Sequence, residues 1–228
     1  MNDTAVPHPD AAPALRWLVA IGASAGGLDP LRALLGAARP RDDTAIVVAQ
    51  HLSGPDGDVL VQLLQRSTAW TVRVIADGDA LTPGTVHVCP PGLDVDLEDT
   101  RLRLRRAESL PRPSIDRLFA AIARTHGAHA IGIVLSGTGN DGLAGARDIH
   151  AAGGGVWLQD PATCAFASMP RALLDAGLAD MVGTPAALGR RLQTLPGTDA
   201  PGAPRSRRAQ ARARQLALDR IAQRVGQA

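Results

Sequence analysis

Three residues carry the types needed for nucleophilic hydrolysis: Ser24 in Gly22-Ala23-Ser24-Ala25-Gly26, His51 after Gln50, and Asp141 in Gly137-Thr138-Gly139-Asn140-Asp141-Gly142. A serine hydroxyl is a weak nucleophile until a base takes its proton, and the base needs a group that fixes its tautomer and balances its charge. The serine pentapeptide matches G-x-S-x-G, where flanking glycines permit a sharp strand-to-helix turn that projects the hydroxyl beside helix N–H groups. Taken alone, that pattern also suits an ordinary strand-to-helix turn. Among the six histidines His51 is the best placed, since His8 falls in the N-terminal arm, His87 in a hairpin region, His126 and His129 around a helix end, and His150 inside a helix. Asp141 is then the carboxylate expected to accept a hydrogen bond from Nδ1–H of His51.

For these residues to meet, the elements before them must end at one edge. Trp17 to Ile21 and Ala45 to Ala49 are short β-branched runs of the kind buried on both faces of a parallel sheet. Between them Asp29 to Ala38 reads as a helix, with Asp29 as its cap, Pro30 at its first position, and Leu31, Leu34 and Leu35 on one face. The alternation continues with a helix over 57–66 and a strand over 71–75. From Gly84 to Arg105 the period changes to 2, which predicts an antiparallel excursion of hairpins. Helices over 114–125 and 143–152 and strands over 130–135 and 155–158 follow. A short strand near 179–182 then lies between helices around 170–176 and 185–195. The sum is an α/β fold: a doubly wound, mostly parallel sheet with an antiparallel hairpin excursion and helices on both faces. Ser24, His51 and Asp141 then fall at the carboxyl ends of three parallel strands.

The organisation expected is a disordered arm over 1–14, one folded domain over 15–195, a linker over 196–204, and an Arg-rich helix over 205–228. Of the 228 residues 45% are hydrophobic, while aromatics are 2% and tyrosine is absent, so the core must be aliphatic. Two cysteines are too few for a disulfide framework, the N-terminus lacks the pattern of a secretory signal, and no run approaches the roughly 20 apolar residues that span a bilayer. A cytoplasmic location and no transmembrane segment are expected. Residues 201–228 hold seven Arg and one Asp, leaving 17 basic and 21 acidic residues in the first 200. The body is therefore mildly acidic, which argues against the broad basic face of a nucleic-acid enzyme. The tail reads either as a solvated helix or as a salt-sensitive docking element for an acidic receptor surface or membrane face.

Two other chemistries compete. Gly137 to Gly142 also satisfies G-x-G-x-x-G after a strand, and Asp160 follows at about the interval expected of a ribose-binding carboxylate. That dinucleotide reading is weakened by the few strands that follow and by the charge of Asp141 beside a pyrophosphate. His126 and His129 form H-x-x-H, but nothing nearby completes a zinc set, and no metal or organic cofactor is expected.

Ile21 to Gly27 (IGASAGG), Gln50-His51, Arg112 to Phe119 (RPSIDRLF) and Leu135 to Gly145 (LSGTGNDGLAG) together resemble the catalytic domain of the CheB-type protein-glutamate methylesterases over about 18–195. The resemblance implies a methylesterase catalytic domain with the triad Ser24, His51 and Asp141. It implies hydrolysis of glutamate methyl esters on the cytoplasmic helices of chemoreceptors, deamidation of glutamine at the same sites, and no cofactor. By the same analogy the backbone N–H groups of Ala25 and Thr138 form the oxyanion hole, each donor worth about 3 kcal/mol. The family usually has threonine at the position of Ala25 and methionine at that of Thr138, changes that backbone donors should tolerate. Family members commonly carry an N-terminal receiver domain. Here only some 14 residues precede the first strand, so either constitutive activity or control by a separate regulatory protein is expected. A non-catalytic scaffold that keeps the fold is the alternative, although it would have no chemical reason to keep all three triad residues.

Overall fold

A computed structural model describes residues 15–51, 57–107, 111 and 113–197. The expected arm and the Arg-rich helix lie outside these residues, as do Arg112 and all of the expected linker except Pro196 and Gly197. Along the chain come β1 (Trp17–Ala23), α1 (Leu28–Ala37), β2 (Thr44–Gln50), α2 (Gly57–Gln65), β3 (Thr71–Val74), β4 (Thr85–Val88), β5 (Leu93–Glu98) and β6 (Arg101–Arg106). Then follow α3 (Ile115–His126), β7 (Ala130–Val134), α4 (Leu143–Ala151), β8 (Gly155–Gln159), α5 (Ser168–Asp175), β9 (Met181–Gly183) and α6 (Pro185–Leu192).

Seven strands form one parallel sheet in the order β3-β4-β2-β1-β7-β8-β9, and β5 and β6 pair antiparallel as a separate hairpin. Strands β1 and β2 are buried at every position because both sheet faces are covered. Val19, Ile21, Ile46 and Val48 pack with Leu31, Leu35, Leu60 and Leu188 from α1, α2 and α6. Leu18, Ala20, Ala45 and Val47 pack on the opposite face with Phe119, Ile149 and Leu173 from α3, α4 and α5. The alternation of side chains along each strand thus fills two aliphatic cores at once.

Two local expectations are corrected. Thr85–Val88 is not part of the hairpin excursion but a parallel strand between β3 and β2, with Val86 paired to both Val72 and Ile46. The Val-His-Val alternation imitates a half-solvated strand, yet His87 is fully buried, its Nε2 accepting the Thr82 N–H at 3.2 Å. Burial, helped by Arg73, pushes His87 down to about 4, so it sits there as neutral imidazole. Likewise, Asp29 does not cap α1. Gly27 already has helical dihedrals and its carbonyl accepts the Leu31 N–H at 3.0 Å, so Asp29 lies in the first turn, favourable to the helix dipole and 3.6 Å from Arg32.

Helix α3 lies unusually close to the sheet and to α4. A methyl group on Gly22 would meet Ile115 at 2.5 Å, on Gly132 Phe119 at 2.8 Å, and on Gly145 both the Asp116 carbonyl and Phe119 Cβ at 2.5 Å. Gly145→Ala should therefore force α3 and α4 apart and cost about 1–3 kcal/mol. A urea midpoint unchanged from wild type would show that the two helices accommodate the methyl group.

Candidate active site

Strand order sets the site. β1 has β2 on one side and β7 on the other, so the crevice at the carboxyl ends of these three strands is the topological switch point of the sheet. Ser24 follows β1, His51 follows β2, and Asp141 lies on the loop after β7. The turn after β1 is pinned on both sides. The Ser24 N–H donates to Ser136 O at 3.0 Å, the His51 N–H to Ala23 O at 3.0 Å, and the Gly27 N–H to Ser24 O at 2.9 Å. Of the two glycines in G-x-S-x-G, only Gly26 serves the turn, with φ at +66°. Gly22 instead makes room for Ile115 at the start of α3.

Asp141 is 7% exposed and accepts hydrogen bonds through both oxygens. Oδ2 takes the Ile115 N–H at 2.8 Å, and Oδ1 takes the Asp116 N–H at 3.0 Å and the Gly142 N–H at 3.0 Å. His51 Nε2 lies 3.2 Å from Asp141 Oδ2 and 3.0 Å from Pro113 O. Both are acceptors, so Nε2 carries the hydrogen and Nδ1 is the free base. This reverses the expected orientation of the ring. The reason is the strand order: β1 separates β2 from β7, and the carboxylate reaches across to the end of the imidazole farthest from its own backbone.

Burial alone would push the Asp141 carboxyl up, but the His51 hydrogen bond and the amides of Ile115 and Asp116 outweigh it and hold the group below the usual carboxylate range. Neighbouring Asp116 goes the other way, raised first by burial and also by the charge of Asp141, although Gly145 N–H donates to it at 2.8 Å. Each of these two aspartates thus caps the other's helix, Asp141 the start of α3 and Asp116 the start of α4.

The three expected residues do not all touch. The structure joins His51 to Asp141, and it sets Ser24 at the neighbouring strand end. Among the described residues no hydrogen bond links the Ser24 hydroxyl to His51. The loop carrying Thr138 presses on the serine, since a methyl group on Gly137 would lie 2.9 Å from Ser24 Cβ. Among the described residues nothing accepts the N–H of Ala25 or of Thr138.

Three contributors were not singled out from sequence. Asp94 on β5 is 3% exposed and takes the Ser114 N–H at 2.7 Å, which ties the hairpin to the site. Ser136, fully buried, places its hydroxyl 2.9 Å from Ala25 O and 3.2 Å from Phe166 O, and accepts the Phe166 N–H at 3.0 Å. Gln159, 1% exposed, takes the Ser136 N–H at 2.9 Å and donates to Thr163 O at 3.0 Å. A polar residue ending an apolar strand run was the available signal for Gln159. Asp94 had only its place in an alternating hairpin.

The competing nucleotide site fits poorly. Asp141 already takes the N–H at the start of α4, where a pyrophosphate would sit, and the Asp160 carboxylate caps its own turn through Ala162 N–H at 3.0 Å. His126 bonds Thr125 Oγ1 through Nδ1 at 2.9 Å, and His129 packs edge-on to Trp17 at 5.0 Å. Among the described residues no helix is long and apolar enough to cross a membrane.

The family model for the CheB methylesterase matches residues 19–192. A protein-glutamate methylesterase/protein-glutamine glutaminase from Moorella thermoacetica is 41% identical over 172 residues, covering 72% of this chain and 41% of the relative. Another so named from Anaeromyxobacter dehalogenans is 37% identical over 194 residues, covering 82% of this chain and 57% of its own length. The chain thus spans about half the length of these relatives. The crystal structure of the Thermotoga maritima CheB methylesterase catalytic domain superposes with a TM-score of 0.71 at 27% identity, covering 77% of this chain and 96% of that one. The residues matched by the family model include Ser24, His51 and Asp141, and the chain belongs to the CheB methylesterase family.

Proposed function

We propose that this chain is a serine esterase that hydrolyses methyl esters of glutamate side chains on the cytoplasmic helices of chemoreceptors, and deamidates glutamine at the same positions. The observation that carries this reading is the bond from His51 Nε2 to Asp141, which leaves Nδ1 as a free base at the strand end next to Ser24. The substrate class rests on the names of the relatives. A cytoplasmic location follows from that substrate and is part of the proposal.

In the proposed reaction Ser24 Oγ attacks the ester carbonyl while His51 Nδ1 takes its proton. The N–H groups of Ala25 and Thr138 receive the developing oxyanion; both are backbone donors, so neither side chain needs to be the one usual in the family. Collapse expels methoxide, which takes the proton from His51 and leaves as methanol. Water, deprotonated by His51, then attacks the acyl-serine and returns glutamate and free enzyme. With a glutamine substrate the same imidazolium gives its proton to the amide nitrogen, which leaves as ammonia. Asp141 remains ionised throughout and balances the imidazolium formed in each half-reaction. Methylated receptor should release methanol with wild-type protein, and Ser24→Ala should reduce the rate by roughly 10⁴-fold or more while circular dichroism stays unchanged. A folded Ser24→Ala protein as active as wild type would remove the nucleophile, and a wild type without turnover of receptor or of a model ester would favour a scaffold.

The charge of Asp141 gives a second test. A folded carboxyl held below its unfolded value of about 3.9 stabilises the native state above that value, and the contribution disappears as pH falls through the lower folded value. Asp141→Asn keeps the shape but turns an amide toward donors, so it should cost about 1–3 kcal/mol near neutral pH. The gap between wild type and mutant in urea unfolding should narrow below about pH 4. Because the wrong tautomer of His51 would be favoured, kcat should also fall by about 10⁴-fold. A gap that is constant from about pH 7 to about pH 3 would mean that Asp141 does not carry the charge assigned to it.

A further inference from the structure

Gln50 breaks the pattern of the strand it ends. In β2, Ile46 and Val48 face the aliphatic core under α1 and α2, and Gln50 is the next residue in that alternating series. It is only 6% exposed, and it buries an amide where the strand calls for another β-branched residue, with its Oε1 unpartnered among the described residues, so that only the donor end offsets the desolvation. Its Nε2 donates to Ser24 O at 2.9 Å and to His51 O at 3.2 Å. These two carbonyls belong to the proposed nucleophile and the proposed base, residues 27 positions apart. The orientation of the amide is not interchangeable, because the flipped rotamer would set an oxygen against two carbonyl oxygens. Room for the amide comes from Gly27, where a methyl group would lie 3.0 Å from Gln50 Oε1 and 2.9 Å from Ser24 O.

From this geometry we infer that Gln50 is a positioning residue that fixes the distance between Ser24 and His51 by clamping both backbones with one amide. The inference rests on the hydrolase reading above. The amide touches neither substrate nor reacting atoms and acts on the approach of Oγ to Nδ1, a distance on which the proton transfer depends steeply. A misplacement of about 1 Å in such a pair can cost about 100-fold in rate. Substrate affinity is set elsewhere, so the effect belongs in kcat rather than KM.

Two variants test this. Gln50→Met keeps the volume and removes both donors, and kcat on methylated receptor should fall by about 10- to 100-fold with KM unchanged. Gln50→Glu supplies a carboxyl in the same place. When ionised it repels both carbonyls, and when protonated it can donate one hydrogen bond to one of them. Burial and the facing carbonyls favour the protonated form, so the ratio of the Glu to the Met variant should rise as pH falls. A second readout is the rate at which a fluorophosphonate labels Ser24, followed by mass spectrometry, which reports the activated hydroxyl without receptor or turnover. It should slow in parallel with kcat in both variants. Wild type that neither turns over nor labels would overturn the hydrolase reading and this inference together. Wild type that does both, with a Met variant equal to it or a pH-independent Glu-to-Met ratio, would overturn the role of Gln50 alone. Should the Met variant fail to fold, the pH dependence of the Glu variant relative to wild type decides the matter in the same direction.

Discussion

The start of α3 is the point on which the site depends. A helix leaves its first N–H groups without partners, and buried donors of this kind cost about 1–3 kcal/mol each when unsatisfied. Here four successive donors are met from three places. Ser114 N–H goes to Asp94, Ile115 and Asp116 N–H go to Asp141, and Arg117 N–H returns to the Ser114 hydroxyl at 3.2 Å. Two of these partners are carboxylates, which the positive end of the helix dipole favours. Asp141 is therefore anchored by the fold before it orients anything. The same electrostatics that saturate α3 keep Asp141 charged, and a charged acceptor is what fixes His51 with its hydrogen on Nε2. Pro113, on the approach to α3, adds a second acceptor to the same nitrogen.

This anchoring explains why the glycines fall where they do. For Asp141 to reach both the α3 amides and His51, the helix must start directly above the end of β1. Gly22 allows that by removing the side chain that Ile115 would strike. Gly145 lets α4 approach until the Asp116 carboxylate can cap it, so the two helices hold each other's first turns. The hairpin β5–β6, outside the main sheet, enters the same scheme through Asp94. An excursion that looks peripheral in the strand order thus supplies one of the partners that hold the approach to α3 in place.

The apolar runs Trp17 to Ile21 and Ala45 to Ala49 made the parallel sheet legible, because a strand buried on both faces has no other sequence pattern. G-x-S-x-G and the loop after β7 then placed chemistry at one edge. What escaped was whatever depended on strand neighbours rather than on sequence neighbours. The order β2-β1-β7 decides which imidazole nitrogen meets Asp141, and no local pattern encodes that order. Thr85–Val88 was drawn into the hairpin because His87 looks solvated, and its burial is decided by one long-range fit of Nε2 to the Thr82 amide. The start of α1 was misplaced by one feature: Asp29-Pro30 is a good capping pair, but the glycines after Ser24 already carry the chain into helical geometry.

A second route to the site does not pass through the motif. Gln50 ends β2, Ser136 follows β7, and Gln159 ends β8, and all three are buried polar side chains at the carboxyl ends of otherwise apolar strands. Each satisfies backbone groups of an adjoining loop: Gln50 those of Ser24 and His51, Ser136 those of Ala25 and Phe166, Gln159 those of Ser136 and Thr163. Stability alone would favour an aliphatic side chain at such positions, because a hydrogen bond gained inside the protein replaces one given up to water and returns only about 1 kcal/mol. What the amides and the hydroxyl provide is a fixed separation between the loops at this end of the sheet, and this is the purpose for which a buried polar network is worth its desolvation. The polar positions that interrupt an apolar strand at its carboxyl end therefore single out the same edge of the sheet as the proposed site, independently of Ser24.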